Sequence, residues 1–390
     1  MIKLRRRQLL LAGLATGVAA TGTQKYLQSR TEHQQQAALE ALARSKYQQR
    51  DISSILKATF EADAEKINRG LEIQSSLNLV PPKIPYDRNM SKLLILCSKL
   101  GTQQYLKGKI DPTYNGAIKS LPAYTNKLDS YTRILAIKGL EEQEIAETVE
   151  VDTSASFQSA EQDPIGRNLD MTGDAIANTV KHVVKLKNRV PVYFGFALTS
   201  KTSNIIVFRG TQRTSEWLRN VLAFQFDYLD RASAQSYGKI HSGFADVYKE
   251  IAEPTIEIAQ QLNPSLPCYV TGHSLGAALA VIAALDIALK IPSLKAQIRL
   301  YTYAGPRVGD PVFAKTHNRL IPNSYRIVNL ADSIPLTPPT IFRNDIYVDV
   351  GQVWSFLTYH GDVLPNHVVD TYREAVNREV ETNHLSSVTK

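Results

Sequence analysis

Residues 268–289 read CYVTGHSLGAALAVIAALDIAL, and few architectures accept such a run. CYVT is short and β-rich, as a buried strand is. Residues 275–289 are apolar almost all round, so they read as a helix buried on every side. A buried strand that turns directly into a buried helix needs covering layers on both faces. That is the repeating unit of a parallel-rich sheet packed between helices.

The flanking sequence fits the same class. Residues 193–198 (YFGFAL) and 204–208 (NIIVF) are β-rich runs split by a polar turn, which suits neighbouring strands. Residues 245–262 read as a helix, and 299–303 and 325–330 as further strands. The fold class is therefore α/β. In such sheets the chemistry gathers at the carboxyl ends of the strands.

The turn itself is Gly272-His273-Ser274-Leu275-Gly276, a G-x-S-x-G pattern set between strand and helix. A serine there is forced into a strained backbone conformation that lifts its Oγ clear of the sheet, and the glycines give it room. The Leu275 N–H, at the start of the helix, points toward a developing oxyanion. A serine nucleophile needs a base, and the base an orienting acid, in chain order Ser, acid, His on this scaffold. Asp332 lies just past the strand 325–330, where such an acid belongs; Asp310, Asp345 and Asp349 are the alternatives. His367 follows Pro365-Asn366 and is expected to open the C-terminal helix. His360 is the second choice, and His384 stands close to the chain end.

Composition excludes several classes. The 390 residues carry a net charge of +8, but residues 1–50 hold nine Lys/Arg against two Asp/Glu, and the rest is close to neutral. No basic stripe crosses the body, so nucleic acid is not expected as a partner. Two cysteines, Cys97 and Cys268, exclude a disulfide framework and leave open a single pair or two buried thiols. No His, Asp or Glu cluster has metal-ligand spacing, so neither a metal nor another cofactor is expected.

Residues 1–23 hold Lys3, Arg5, Arg6 and Arg7 before a twelve-residue uncharged stretch, the build of an export signal with a twin-arginine look. Twelve residues reach only about 18 Å as a helix, too short to span a bilayer. An uncleaved membrane-surface anchor is the other reading. Residues 24–82 read as a helical extension, with apolar residues at 3–4 spacing from Ile52 to Leu71 and a stop at Pro81-Pro82. Residues 83–390 are expected to form the main domain.

Six motifs now combine: VFRGT at 207–211 with Trp217 six residues on, HSGF at 241–244, TGHSLGAALA at 271–280, AGPRVG at 304–309, the stretch from Asp332 to Pro339, and His367 five residues before Tyr372. Together, over 204–372, they resemble the class 3 lipase family, whose best-known members are fungal triacylglycerol lipases. One departure is Asp349, where the family's aromatic-His-Val-Gly strand has histidine. The resemblance implies an α/β-hydrolase fold with a central, mostly parallel sheet. It implies hydrolysis of glycerolipid esters at a lipid–water interface or membrane surface by Ser274, His367 and Asp332. Thr211 would complete the oxyanion hole with Leu275. Arg209 and His241 would be buried structural groups, and His273 would pack behind the elbow. Residues 213–222 would form a lid, with Trp217, Leu218, Val221 and Leu222 on one side at helical spacing and Arg213 on the other. Rival readings are a soluble carboxylesterase or acyltransferase on the same triad, and a catalytically silent lipid-binding protein. With the N-terminal signal, the expected location is outside, or at, the cytoplasmic membrane of a bacterium. No protein partner is legible.

Overall fold

The computed structural model describes residues 64–152, 179–210, 224–229, 235–361 and 363–378. The export segment, most of the helical extension, Thr211, the lid residues Arg213, Trp217, Leu218, Val221 and Leu222, and His384 lie outside the described residues. The chain divides into two compact units, Met1–Gly139 with Tyr193–Lys390, and Leu140–Val192. The described part of the smaller unit is β-strand.

The strands in chain order are β1 (Thr132–Asp152), β2 (Thr179–Thr199), β3 (Asn204–Phe208), β4 (Gln225–Leu229), β5 (Ser236–His241), β6 (Cys268–His273), β7 (Ile298–Tyr303), β8 (Ser324–Asn329), β9 (Ile341–Phe342), β10 (Asp345–Ile346) and β11 (Gln352–Phe356). Among the described residues a seven-stranded sheet runs β1-β2-β3-β6-β7-β8-β11. β2 and β3 are antiparallel, as their short polar turn requires. From β3 to β11 every pair is parallel. β3 and β6 are buried at every residue, which accounts for the apolar runs Ile205–Phe208 and Cys268–Val270.

Among the described residues the α-helices are α1 (Ala64–Ser76), α2 (Arg88–Ile110), α3 (Ser242–Lys249), α4 (Ala252–Ala259), α5 (Leu275–Lys290), α6 (Pro292–Lys295), α7 (Pro311–Leu320), α8 (Val363–His367) and α9 (Val369–Asn377). α2 and α9 share a core with Ile205 and Val207 of β3, Tyr301 and Tyr303 of β7 and Ile327 of β8. Side chains alternate along a strand, so Ile206 and Phe208 of β3 face the other way. α5 also packs on β3, β6 and β7, and is buried from Leu275 through Ala288. Asp286 interrupts that apolar surface but is matched: it accepts from Tyr248 at 3.0 Å and pairs with Lys290 at 2.9 Å.

Two local expectations change. The helix read over 245–262 is two helices, α3 and α4, with a break at Glu250 and Ile251. Pro254 has no N–H to give to the preceding turn, so the chain restarts and keeps Pro254 in the first turn of α4. His367 does not open the C-terminal helix but closes α8. Val368 is extended (φ −63°, ψ 148°) before α9 begins. Cys97 and Cys268 are both free and buried, and burial raises each thiol to about 12.

The chain between α1 and α2 runs along the main unit as a strap. Val80 N–H donates to Asn318 Oδ1, Ile84 N–H to Asn323 Oδ1, and Asp87 N–H to the Tyr301 hydroxyl. Asp87 also caps α2 by accepting from Met90 N–H at 2.9 Å. Asp349, between β10 and β11, ion-pairs with Arg326 at 3.0 Å and Arg307 at 3.6 Å, so arginines of this chain accommodate the acid there.

His317 of α7 is fully buried, and burial pushes its imidazole down to about 4 from 6.5. The unfolded chain therefore takes up a proton below about pH 6.5 that the folded chain refuses. Stability is lost as pH falls from that value toward 4, by about 3 kcal/mol from this residue. Urea midpoints measured from pH 7.5 to 4.5 should fall more steeply for the native chain than for His317→Gln.

Candidate active site

Ser274 stands between β6 and α5 with φ 59° and ψ −124°, a conformation that costs a non-glycine residue free energy and persists only where the surroundings hold it. Its neighbours explain how it is held. A Cβ on Gly272 would lie 2.2 Å from the Gly276 carbonyl oxygen, and one on Gly276 would lie 2.3 Å from the Phe208 oxygen. Only glycine fits either place. Ser274 N–H is tied to the Tyr303 carbonyl at 2.9 Å. Leu275 is the first residue of α5, so its N–H has no acceptor within the helix and faces the helix's positive end.

Three strand ends deliver three side chains. Ser274 follows β6, Asp332 follows β8, and His367 comes down after β11. His367 Nε2 lies 2.8 Å from Ser274 Oγ, and His367 Nδ1 lies 2.8 Å from Asp332 Oδ2. Asp332 is a carboxylate acceptor, so Nδ1 carries the proton and Nε2 is free to accept from the serine hydroxyl. All three residues are buried. This geometry can raise the nucleophilicity of a hydroxyl and shelter the imidazolium that results.

The alternatives are occupied elsewhere. Asp310 caps α7, accepting from Phe313 N–H at 2.7 Å and Lys239 N–H at 3.0 Å. Asp345 accepts from Gln225 N–H. His360 is exposed, and its backbone N–H binds Asn366 Oδ1. Arg209 is buried, donating to the Tyr193 and Gly210 carbonyls with its guanidinium over the Tyr105 ring. His241 is buried beside Phe244.

Further hydrogen-bonded groups complete the site. The Tyr372 hydroxyl donates to Asp332 Oδ2 at 2.7 Å and accepts from Asn329 N–H at 3.0 Å. Ile334 N–H donates to the other oxygen at 2.9 Å. The spacing of Tyr372 from His367 was its only signal in the sequence. His273 packs behind the histidine, its ring 5.0 Å from that of His367, and Nε2 lies 2.8 Å from the His367 carbonyl. A carbonyl only accepts, so His273 carries its proton on Nε2. That bond takes up the carbonyl at which α8 ends. Burial first, and the neighbouring His367 second, push His273 well below the ordinary histidine range, so it is neutral at physiological pH.

A hydrogen bond to a buried carboxylate is one of the stronger kinds, about 1.5–3 kcal/mol. Tyr372→Phe removes it and leaves the Asn329 N–H without its acceptor. If the carboxylate serves as the acid of a triad, turnover should fall about tenfold while substrate affinity changes little, as steady-state kinetics would show.

Residues 205–342 match the family model described as lipase (class 3). The chain is 34% identical to a lipase of Rhizomucor miehei over 150 residues, which is 37% of this chain and 39% of that one. It is 31% identical over 171 residues to secreted mono- and diacylglycerol lipase 1 of Fusarium solani, covering 43% and 48%. It is 27% identical over 185 residues to phospholipase A1 EG1 of Oryza sativa subsp. indica, covering 41% and 42%. The matches thus span less than half the length of these relatives. A solved Rhizomucor miehei triacylglyceride lipase aligns at 31% identity over 42% of this chain and 62% of that one, with a TM-score of 0.36.

Proposed function

We propose that this chain, a class 3 lipase family member through residues 205–342, is a serine hydrolase that cleaves the carboxylic esters of glycerolipids on an α/β-hydrolase scaffold. One observation carries the reading: the unbroken line of hydrogen bonds from Ser274 through His367 to Asp332, with the serine on a strained strand-to-helix turn. Ser274 Oγ attacks the ester carbonyl carbon while its proton passes to His367 Nε2. Asp332 fixes the tautomer and stabilises the imidazolium. The oxyanion is met by the N–H of Leu275 and, on the sequence reading, by Thr211, which follows Gly210 beside the elbow. The tetrahedral carbon then expels the alcohol, which takes the proton from Nε2. Water, deprotonated by the same nitrogen, attacks the acyl-serine and releases the fatty acid.

The relatives' names range from mono- and diacylglycerol lipase to phospholipase A1. The test therefore offers emulsified triacylglycerol, diacylglycerol and phospholipid side by side and follows fatty-acid release by mass spectrometry, with Ser274→Ala as control. Release from at least one lipid by the native chain, and none by the variant, is the expected result. Release from none of the three lipids by the native chain would end the reading. The lid proposed for 213–222 adds a rise in rate as substrate passes its solubility limit, weakened in Trp217→Ala.

Two relatives are named as secreted, and the basic block before the short apolar stretch at 1–23 supports export here too. Changing Arg6 and Arg7 to Lys should block export of a reporter fused after Leu27 in a bacterial host. Export unchanged by the double substitution would remove the twin-arginine route.

A further inference from the structure

Lys99 of α2 has 2% of its side chain exposed, and its ammonium reaches both carboxylate oxygens of Asp370 on α9, at 2.7 and 2.9 Å. The interface around it is apolar, with Leu96 and Leu100 of α2 and Val369, Tyr372 and Val376 of α9 in one core. Two such helices do not need a lysine to stay together. Taking two charges out of water costs free energy, and well-packed apolar residues in their place are often as stable or more so. The pair supplies what apolar contact lacks. Apolar burial is non-directional and lets helices slide or turn, whereas a two-pronged, charge-assisted bond fixes their register.

The catalytic base depends on that register. Asp370 stands three residues after His367 and two before Tyr372, whose hydroxyl binds the Asp332 carboxylate. The corner between them is stiff. Thr371 Oγ1 donates to the Pro365 carbonyl at 2.7 Å, and Thr371 N–H to the Val368 carbonyl at 3.1 Å. A rotation of α9 against α2 therefore carries His367 and Tyr372 with it. Arg373 also reaches Asp370, at 3.2 Å, but both lie on α9, so that pair sets no register.

The same helix touches the other parts of the site. The Tyr303 hydroxyl donates to the Ser91 carbonyl of α2 at 2.9 Å, and the Tyr303 carbonyl accepts the Ser274 N–H. Gly101 lies against Arg209, where an added Cβ would come within 3.6 Å of the arginine Cα. The Tyr105 ring lies 3.7 Å from the Arg209 guanidinium, one residue before Gly210. α2 falls outside residues 205–342, the stretch that the family model covers. We propose that Lys99 is a positioning residue: through Asp370 it sets His367 within hydrogen-bond reach of Ser274 and Asp332, with α2 as the common base. The inference rests on the triad reading and assigns the ion pair to turnover rather than to stability.

The test is the full-length Lys99→Met/Asp370→Leu variant, which removes both charges together and leaves no unpaired ion. Its thermal midpoint should stay within about 5 °C of native. Its kcat on a water-soluble short-chain ester should fall at least about tenfold with KM within about twofold, because a misplaced base costs rate rather than binding. The low-field proton NMR signal of His367 Nδ1–H against Asp332, identified by its absence from His367→Ala, should weaken or shift. Native kcat, or an unchanged signal, would overturn the proposal. If the double variant fails to fold, Asp370→Asn decides, since the amide keeps the side chain's shape and one oxygen for Lys99. Labelling of its Ser274 by a serine-reactive phosphonate, well below its melting temperature, should slow at least about threefold. Labelling at the native rate would overturn the proposal. A native chain that cleaves no ester would remove the hydrolase reading, and the NMR signal alone would then decide whether Lys99 holds His367 against Asp332.

Discussion

Ser274→Ala and His367→Ala should each lower ester turnover by about 10⁴-fold or more, and the double variant should be little worse than either single one. Members of a triad act as a unit, so the first loss removes most of what the second could remove. The geometry makes the expectation specific. His367 Nε2 has Ser274 Oγ as its partner at 2.8 Å, while His360 is exposed and joined to the site only through its backbone N–H. His360→Ala should therefore stay within about twofold of native, as a surface change does. Circular dichroism and thermal melts of the Ser274 variant should match native, because removing an Oγ from a strained turn leaves the sheet and α5 in place. Near-native turnover in His367→Ala with loss in His360→Ala would reverse the assignment of the base.

Asp332→Asn should cost about 10³-fold in kcat with little change in KM. An amide has about the volume of a carboxylate, so the fold survives, but its nitrogen donates where His367 Nδ1–H needs an acceptor. In this chain the conflict is doubled. The same oxygen that accepts from His367 also accepts from the Tyr372 hydroxyl at 2.7 Å, and the second oxygen accepts from Ile334 N–H. Whichever way the amide turns, one buried donor faces another. The larger loss expected here than in Tyr372→Phe follows from that difference: the tyrosine variant keeps the carboxylate and its charge. Pre-steady-state acylation rates would separate the two, falling in both but by two orders of magnitude more in Asp332→Asn.

Those expectations show where the sequence was readable and where it was not. The run at 268–289 announced a strand, a strained serine and a buried helix because all three leave a one-dimensional trace: apolar residues without alternation, glycines at fixed offsets and a serine between them. The packing of β6 and α5 follows from that trace. Pro254 divides a segment that apolar spacing alone reads as one helix. The break after His367 has no local cause in the sequence. It accompanies the His273 bond to the His367 carbonyl, a contact between residues 94 positions apart. Long-range contacts also hide the strap before α2, where Asn318 and Asn323 are polar residues of no special pattern until the chain from Val80 to Ile84 lies against them. The same is true of Lys99. It lies almost fully buried within α2, yet it forms an ion pair at 2.7 Å with Asp370, three residues beyond His367. Nothing in the helical periodicity marks a lysine for burial, because its partner is supplied by the far end of the chain.

The central claim is that Ser274 is a nucleophile made reactive by His367 and Asp332. An alkyl phosphonate ester with a p-nitrophenol leaving group tests it most directly, since the reagent is attacked like an ester and stops at a stable serine adduct. Peptide mass mapping after exposure should place one adduct on Ser274, with release of one equivalent of p-nitrophenol. The rate of labelling should fall by orders of magnitude in His367→Ala although the serine remains. An unlabelled Ser274 in a chain that still hydrolyses lipid, or an adduct on another residue that abolishes activity, would contradict the account.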